Sequence, residues 1–233
     1  TGCAFHTRCP FKMDICSQVT PTLDEEETGH SVACHLYTEG SGNADDSDPA
    51  RTGEDTDSSD PGTNTGLQNG LHHVEIDING YGTIALELDA DTAPISVTSF
   101  KALAEDGFYD GLTFHRIIDG FMIQGGDPLG NGTGGSDTNI KGEFAKNGID
   151  NSISHKRGVI SMARSGDPDS ASSQFFIVHE DSTFLDGEYA AFGHVTEGMD
   201  IVDQICKDTP VQDDNGTVGT DDQPVINTVK VID

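Results

Sequence analysis

An antiparallel β-barrel with two helices is the fold this sequence predicts for residues 71–233. Three observations point to it: many short strand-like runs, two helical stretches far apart in the chain, and long glycine-rich loops. The first strands are HHVEIDI (72–78) and GTIALEL (82–88), which alternate apolar and polar residues with Asn79-Gly80 between them, a hairpin signal. The first helix starts at Thr92-Ala93-Pro94, with Thr92 as the expected cap and Pro94 in the first turn. Val97, Phe100, Leu103 and Ala104 supply its apolar stripe, and Gly107 ends it. Strands are expected at Thr113–Ile118, Phe121–Gln124, Gly158–Met162, Gln174–Val178 and Ala190–Val195. A second helix is expected over Met199–Cys206, and Val225–Ile232 reads as the closing strand. The stretch from Gly125 to Gly148 reads as loops, in which Gly130, Gly132, Gly134 and Gly135 serve turns and close approach. It holds no G-x-x-x-x-G-K-[ST], so it is no phosphate-binding loop of that type.

Two zones precede the barrel. Residues 1–38 hold four of the five cysteines, and residues 39–70 are an acidic mixture of Gly, Ser, Asp, Thr and Pro. The latter cannot bury enough surface to offset its ordering entropy and reads as a flexible, self-repelling linker. The 233 residues carry 41 acids against 12 bases, a formal net charge of −29, of which residues 71–233 hold −19. Such a surface repels phosphate backbones and anionic lipid, so neither nucleic acid nor a membrane surface is an expected partner. No apolar run is long enough to insert in a membrane, and no basic region followed by an apolar one marks a signal peptide in the chain as it stands. A cytoplasmic, salt-adapted protein is expected, because concentrated salt screens the repulsion within so acidic a domain.

The richest stretch is Phe114–Asp127, FHRIIDGFMIQGGD. It sets one arginine, Arg116, among Phe114, Ile117, Ile118, Phe121, Met122 and Ile123. Ser173–Val178, SQFFIV, adds two adjacent aromatics on a buried strand. One guanidinium beside an apolar floor offers no activated nucleophile and no paired carboxylates. It suits a reaction that breaks no covalent bond and needs a positioned donor, such as rotation about a prolyl peptide bond.

These runs, with GVISMAR (158–164) and FLDGEYAAFGHV (184–195), resemble the cyclophilin-type peptidyl-prolyl cis-trans isomerases. The resemblance implies a closed eight-stranded barrel capped by two helices, proline-containing polypeptides as substrates, no cofactor for isomerisation and a monomer. It implies Arg116, Phe121, Gln124 and Phe176 as catalytic residues. Met122, Leu185, Tyr189, Gln174 and the backbone of Ala163 and Arg164 would bind substrate. Phe184 would stand where many members have a tryptophan, and the lost indole N–H weighs against tight binding of cyclosporin. His115, beside Arg116, reads as structural because the reaction transfers no proton. The alternative is a non-catalytic module that binds proline peptides.

Cys3, Cys9, Cys16 and Cys34 are spaced C-x5-C-x6-C-x17-C, with histidines nearby. GCAFHTRCPFKMDIC and GHSVACHLY resemble the C-terminal tail of oligopeptide/dipeptide ABC-transporter ATP-binding proteins, which makes a peptide transporter a candidate partner. ATP hydrolysis is not carried over, since the phosphate-binding loop is absent. The four thiols could hold an iron–sulfur cluster or a zinc ion, form two disulfides, or stay reduced; a cytosolic setting weighs against disulfides. Cys206 reads as a small buried apolar residue.

Overall fold

The period-two alternation of the first hairpin becomes alternation of burial. The computed structural model describes residues 66–233 and, before them, only the backbone of two short paired strands, β1 (Asp24–Glu25) and β2 (Ser31–Val32). Cys3, Cys9, Cys16, Cys34 and most of the expected linker therefore lie outside the described residues. Gln68–Asp233 forms a compact unit of its own. Within it, β3 (Leu71–Ile78) buries Val74, Ile76 and Ile78, and β4 (Gly82–Asp89) buries Ile84, Leu86 and Leu88. They pair from Leu71↔Asp89 to Ile78↔Gly82, and Gly80 takes the positive φ of 78° that their turn requires.

Helix α1 (Pro94–Glu105) starts with proline in its first turn, as expected, but Thr92 does not cap it. The Thr92 hydroxyl turns back to the Asp89 carboxylate at 2.7 Å, and Ala93 is the N-cap without a side-chain bond. The orphan N–H groups of Ile95 and Ser96, and the Ser96 hydroxyl, instead donate to the buried carboxylate of Glu143 at 2.9, 2.8 and 2.7 Å. At the other end Phe108 N–H donates to Leu103 O and Gly107 N–H to Ala104 O, with Gly107 at φ 68°, which is a Schellman stop.

The remaining elements are β5 (Thr113–Ile118), β6 (Met122–Asp127), β7 (Val159–Met162), β8 (Phe175–Val178), β9 (Ala191–Glu197), helix α2 (Met199–Asp208) and β10 (Ile226–Val231). Strands β3 to β10 form one curled antiparallel sheet in the order β10-β3-β4-β9-β7-β8-β6-β5. Its outer members approach each other at one end, where Gly111 N–H donates to Ile226 O, Ile226 N–H to Leu112 O and Phe114 N–H to Pro224 O. The fold is thus mainly β with two helices; pairing along whole strands joins seven neighbours, while β5 and β10 share only that short seam. Strand β6 runs past its expected end at Gln124 through Gly125 and Gly126. A side chain at Gly125 would meet Thr113 O and the Phe114 ring, so these glycines are strand positions whose space the aromatic core already fills.

Candidate active site

Adjacent residues on a strand face opposite sides, and the Phe175-Phe176 pair uses both. Phe175 is wholly buried against Phe100, Tyr109 and Phe114, with ring centroids 5.4, 5.6 and 6.0 Å away and all three pairs edge-on. Phe176 joins a second apolar cluster with Met122, Val159, Val178, Leu185 and Ala191. Its ring stacks on His155 at 6.1 Å and meets Tyr189 edge-on at 5.9 Å. His155 is held in turn by Asp186 at 2.9 Å and Ser161 at 3.0 Å. Burial lowers its pKa, against the upward pull of Asp186.

Arg116 reaches the same place through a bulge. In the β5–β6 ladder Phe114 faces Gly125 and Arg116 faces Gln124, so β5 carries one extra residue, His115. The bulge lets Phe114 and Ile117, three apart, both be buried while Arg116 stays partly accessible. The outer edge of β5 is lined by the loop that follows α2: Ile117 N–H donates to Gly216 O and Val218 N–H to His115 O. Gly216, at φ 78°, lies so close to Ile117 O that no side chain fits there. This contact sets Asn215 beside the guanidinium. Arg116 Nε donates to Asn215 O at 2.9 Å, Nη2 to Asn215 Oδ1 at 3.1 Å and Nη1 to Gln124 Oε1 at 3.2 Å. The chain of amides continues: Gln124 Nε2 donates to Gln174 Oε1 at 2.9 Å, and Gln174 Nε2 to Gly134 O at 2.7 Å. Burial lowers the Arg116 pKa, opposed by Tyr189 and Asp213; a guanidinium so shifted still carries its charge at neutral pH.

Arg116, Phe121, Met122, Gln124, Ala163, Arg164, Phe176, Leu185 and Tyr189 line one cavity of about 120 Å³. Nine of the eleven residues expected to act on or bind substrate therefore meet. Gln174 lies in a neighbouring polar cavity of about 320 Å³ that also takes in Gln124, Ala163 and Arg164. Phe184 is the clearer departure. It is 70% exposed and packs its ring on Phe121 at 5.5 Å, covering that wall from outside rather than lining the cavity. The Ala163 N–H is engaged by Gln174 O at 2.9 Å, so only its carbonyl can serve an extended peptide. Arg164 contributes through its side chain as well as its backbone. The guanidinium lies 4.7 Å from the Tyr189 ring centroid and 5.1 Å from that of Phe144, and it donates to Glu188 O through Nε and Nη2. It thereby fixes the wall that Tyr189 forms.

Asn215 was absent from the sequence expectations, and its only signal was an Asp-Asn-Gly turn far along the chain. His115 is buried, and neither ring nitrogen has a partner among the described residues. Burial lowers its pKa, Asp127 pulls it up and Arg116 adds to the lowering.

Residues 73–232 match the family described as cyclophilin type peptidyl-prolyl cis-trans isomerase/CLD. A peptidyl-prolyl cis-trans isomerase of Helicobacter pylori is 50% identical over 126 residues, covering 53% of this chain and 74% of the relative. A probable peptidyl-prolyl cis-trans isomerase of Brucella suis biovar 1 is 42% identical over 161 residues, covering 64% and 78%. Among solved structures, a Cryptosporidium parvum cyclophilin type peptidyl-prolyl cis-trans isomerase in the presence of the dipeptide Ala-Pro is similar, with 30% identity and a TM-score of 0.61 over 69% of this chain and 99% of that one.

Proposed function

The chain belongs to the cyclophilin-type peptidyl-prolyl cis-trans isomerase family and is such an enzyme, and from that premise we propose how Arg116 and the pocket beside it turn an X–Pro bond. Rotation about a peptide bond faces a barrier of roughly 18–20 kcal/mol, because the nitrogen lone pair is delocalised into the carbonyl. In the twisted state that lone pair returns to a pyramidal, basic nitrogen. A donor aimed there is stronger in the transition state than in the ground state, which is the condition for acceleration. Arg116 is that donor. A guanidinium has five N–H groups, of which Asn215 engages two and Gln124 one. The two others have no partner among the described residues. The apolar walls Phe121, Met122, Phe176 and Leu185 hold the proline ring while the residue before it swings. No σ-bond breaks and no electron passes between groups, so the step draws on no cofactor.

The fixing of Arg116 by Asn215 and Gln124 is the observation that carries this reading, since a donor already oriented costs no reorganisation during rotation. The same reading takes the substrates as proline-containing polypeptides, the enzyme as a monomer in the cytoplasm, and the curled sheet as a barrel closed at the β5–β10 seam. Prolyl isomerisation of an Ala-Pro peptide in molar KCl, comparing wild type with Arg116→Ala, tests it. The variant should lose about 10²–10³-fold in kcat/KM, the size expected for one preorganised transition-state donor. A folded variant as fast as wild type would remove Arg116 from the mechanism. A folded wild type no faster than buffer would reduce the domain to a peptide-binding module.

A further inference from the structure

On the side of the domain behind the pocket wall, three elements bring different metal-ligating side chains together. Asp119 sits in the turn between β5 and β6, His179 just past the end of β8, and Cys206 on α2. A carboxylate oxygen, a ring nitrogen and the thiol sulfur lie within 4.8 Å of one another. We propose that Asp119, His179 and Cys206 form a binding site for a single divalent cation of zinc type, distinct from the isomerase site and from the four cysteines of residues 1–38.

The His179 ring is oriented as a metal-bearing imidazole is. Its Nε2 lies 2.9 Å from Asp203 Oδ1, and Asp203 is itself fixed by the Arg157 guanidinium at 2.8 Å. A carboxylate on the far nitrogen sets the tautomer in which the other nitrogen keeps its lone pair as an acceptor. That acceptor is Nδ1. It stands 3.4 Å from Asp119 Oδ1. In a tetrahedral zinc site, with ligand bonds of about 2.0–2.3 Å, neighbouring ligand atoms are roughly 3.3–3.6 Å apart. The Asp119–His179 separation is therefore already that of a bound pair, and the sulfur lies within 4.8 Å of both.

Charge points the same way. Asp203 is already paired with Arg157, so an ion would offset Asp119 and a Cys206 thiolate, and the nearby Glu180 and Asp181 add negative charge that favours a cation. Sulfur and imidazole select zinc or cobalt over magnesium. His179 and Cys206 are buried while Asp119 is 80% exposed, so an ion would enter from the Asp119 side. One interaction competes: Gly120 N–H now donates to His179 Nδ1 at 2.9 Å. The ion would take the place of that N–H on the one Nδ1 lone pair, so the exposed β5–β6 turn must shift and water take over the Gly120 donor. An ion here would tie the β5–β6 turn, β8 and α2 together. The His179 N–H also donates to Phe121 O at 2.8 Å, which places the site directly behind the pocket wall.

The test uses the full-length chain with Cys3, Cys9, Cys16 and Cys34 all replaced by serine, stripped with chelator, so that Cys206 is the remaining thiol. Titration with Co2+ should give one ion per chain and a near-ultraviolet thiolate-to-cobalt charge-transfer band. Zn2+ should displace it and raise the unfolding temperature, while Mg2+ should do neither. Adding Cys206→Ser should abolish the band. Adding Asp119→Asn, at an exposed position, should weaken Co2+ binding at least tenfold without changing the unfolding temperature of the metal-free protein. No band in the parent, a band that survives Cys206→Ser, or an equal zinc shift with and without Asp119→Asn would each overturn the site.

Discussion

Asn215 holds two of the three bonds that orient Arg116, one through its carbonyl and one through its side chain. Asn215→Ala removes only the second. The expected outcome is a loss of about 1 kcal/mol in transition-state stabilisation, a fall in kcat of about five- to tenfold. KM and the unfolding midpoint should hardly move, because the Gly216 contact that seats the loop is kept. A change confined to KM would place Asn215 in ground-state binding instead. The histidines give a pH prediction. Burial lowers the pKa of both His115, which faces Asp127 and Arg116, and His155, which faces Asp186 and Ser161. A histidine whose folded pKa lies below its unfolded value of about 6.5 takes up a proton more readily when unfolded, so stability is fully present above that value and is lost as pH falls below it. The carboxylates of so acidic a protein pull the opposite way as they protonate, so the comparison belongs in molar KCl and between proteins. Between pH 7.5 and 5.5 the unfolding midpoint of wild type should drop relative to that of His115→Leu, whatever their difference at pH 7.5. Parallel curves would mean that His115 does not titrate differently on folding.

Elements governed by neighbouring residues were legible in the sequence. The alternation of β3 and β4, the Asn79-Gly80 turn and the Gly107 stop all follow from residues a few positions apart. Arg116 and Gln124 are legible through the family resemblance, and the β5–β6 hairpin sets them face to face. What escaped depends on chain that arrives from far away. Thr92 is a plausible local cap, yet Glu143 takes over the helix start from 47 and 48 residues downstream. The glycines of β6 look like a loop until the Phe114 and Phe175 rings are seen filling the space above them. Glu143 therefore makes a prediction that belongs to the helix. Glu143→Ala strands two backbone donors and a hydroxyl in a buried setting, and a lost cap with unsatisfied donors costs about 2–3 kcal/mol. Urea unfolding should show that loss as a lower midpoint with an unchanged slope. A loss within about 0.5 kcal/mol, the range of an ordinary surface substitution, would show that water caps the helix as well as the glutamate does.

At the scale of the whole molecule the governing quantity is charge, because residues 71–233 carry −19 of an overall −29. Of the nine bases there, four are already committed to acids: Lys101 to Asp233, Arg157 to Asp203, Lys146 to Glu188, and Arg164 near Glu188. The surplus acids can only repel one another, and they are closer together in the folded chain than in the unfolded one. Screening acts on that difference. The Debye length is about 10 Å at 0.1 M salt and about 3 Å at 1 M, so repulsion between surface carboxylates that persists in dilute buffer is largely gone in molar salt. The apolar core and the buried polar contacts respond far less to ionic screening. Stability measured by thermal unfolding should therefore rise steeply from low salt to about 1 M KCl and then level off. Reversing charge should reproduce the effect without salt: replacing several exposed acids with lysine should raise the low-salt midpoint and flatten its dependence on KCl. A midpoint that does not change from low to molar KCl would mean that the acids are spaced widely enough to be tolerated in dilute solution, and the salt-adapted reading of the chain would fall. A rise that continues undiminished well beyond 1 M would mean that salt acts through exclusion from the protein surface rather than by screening.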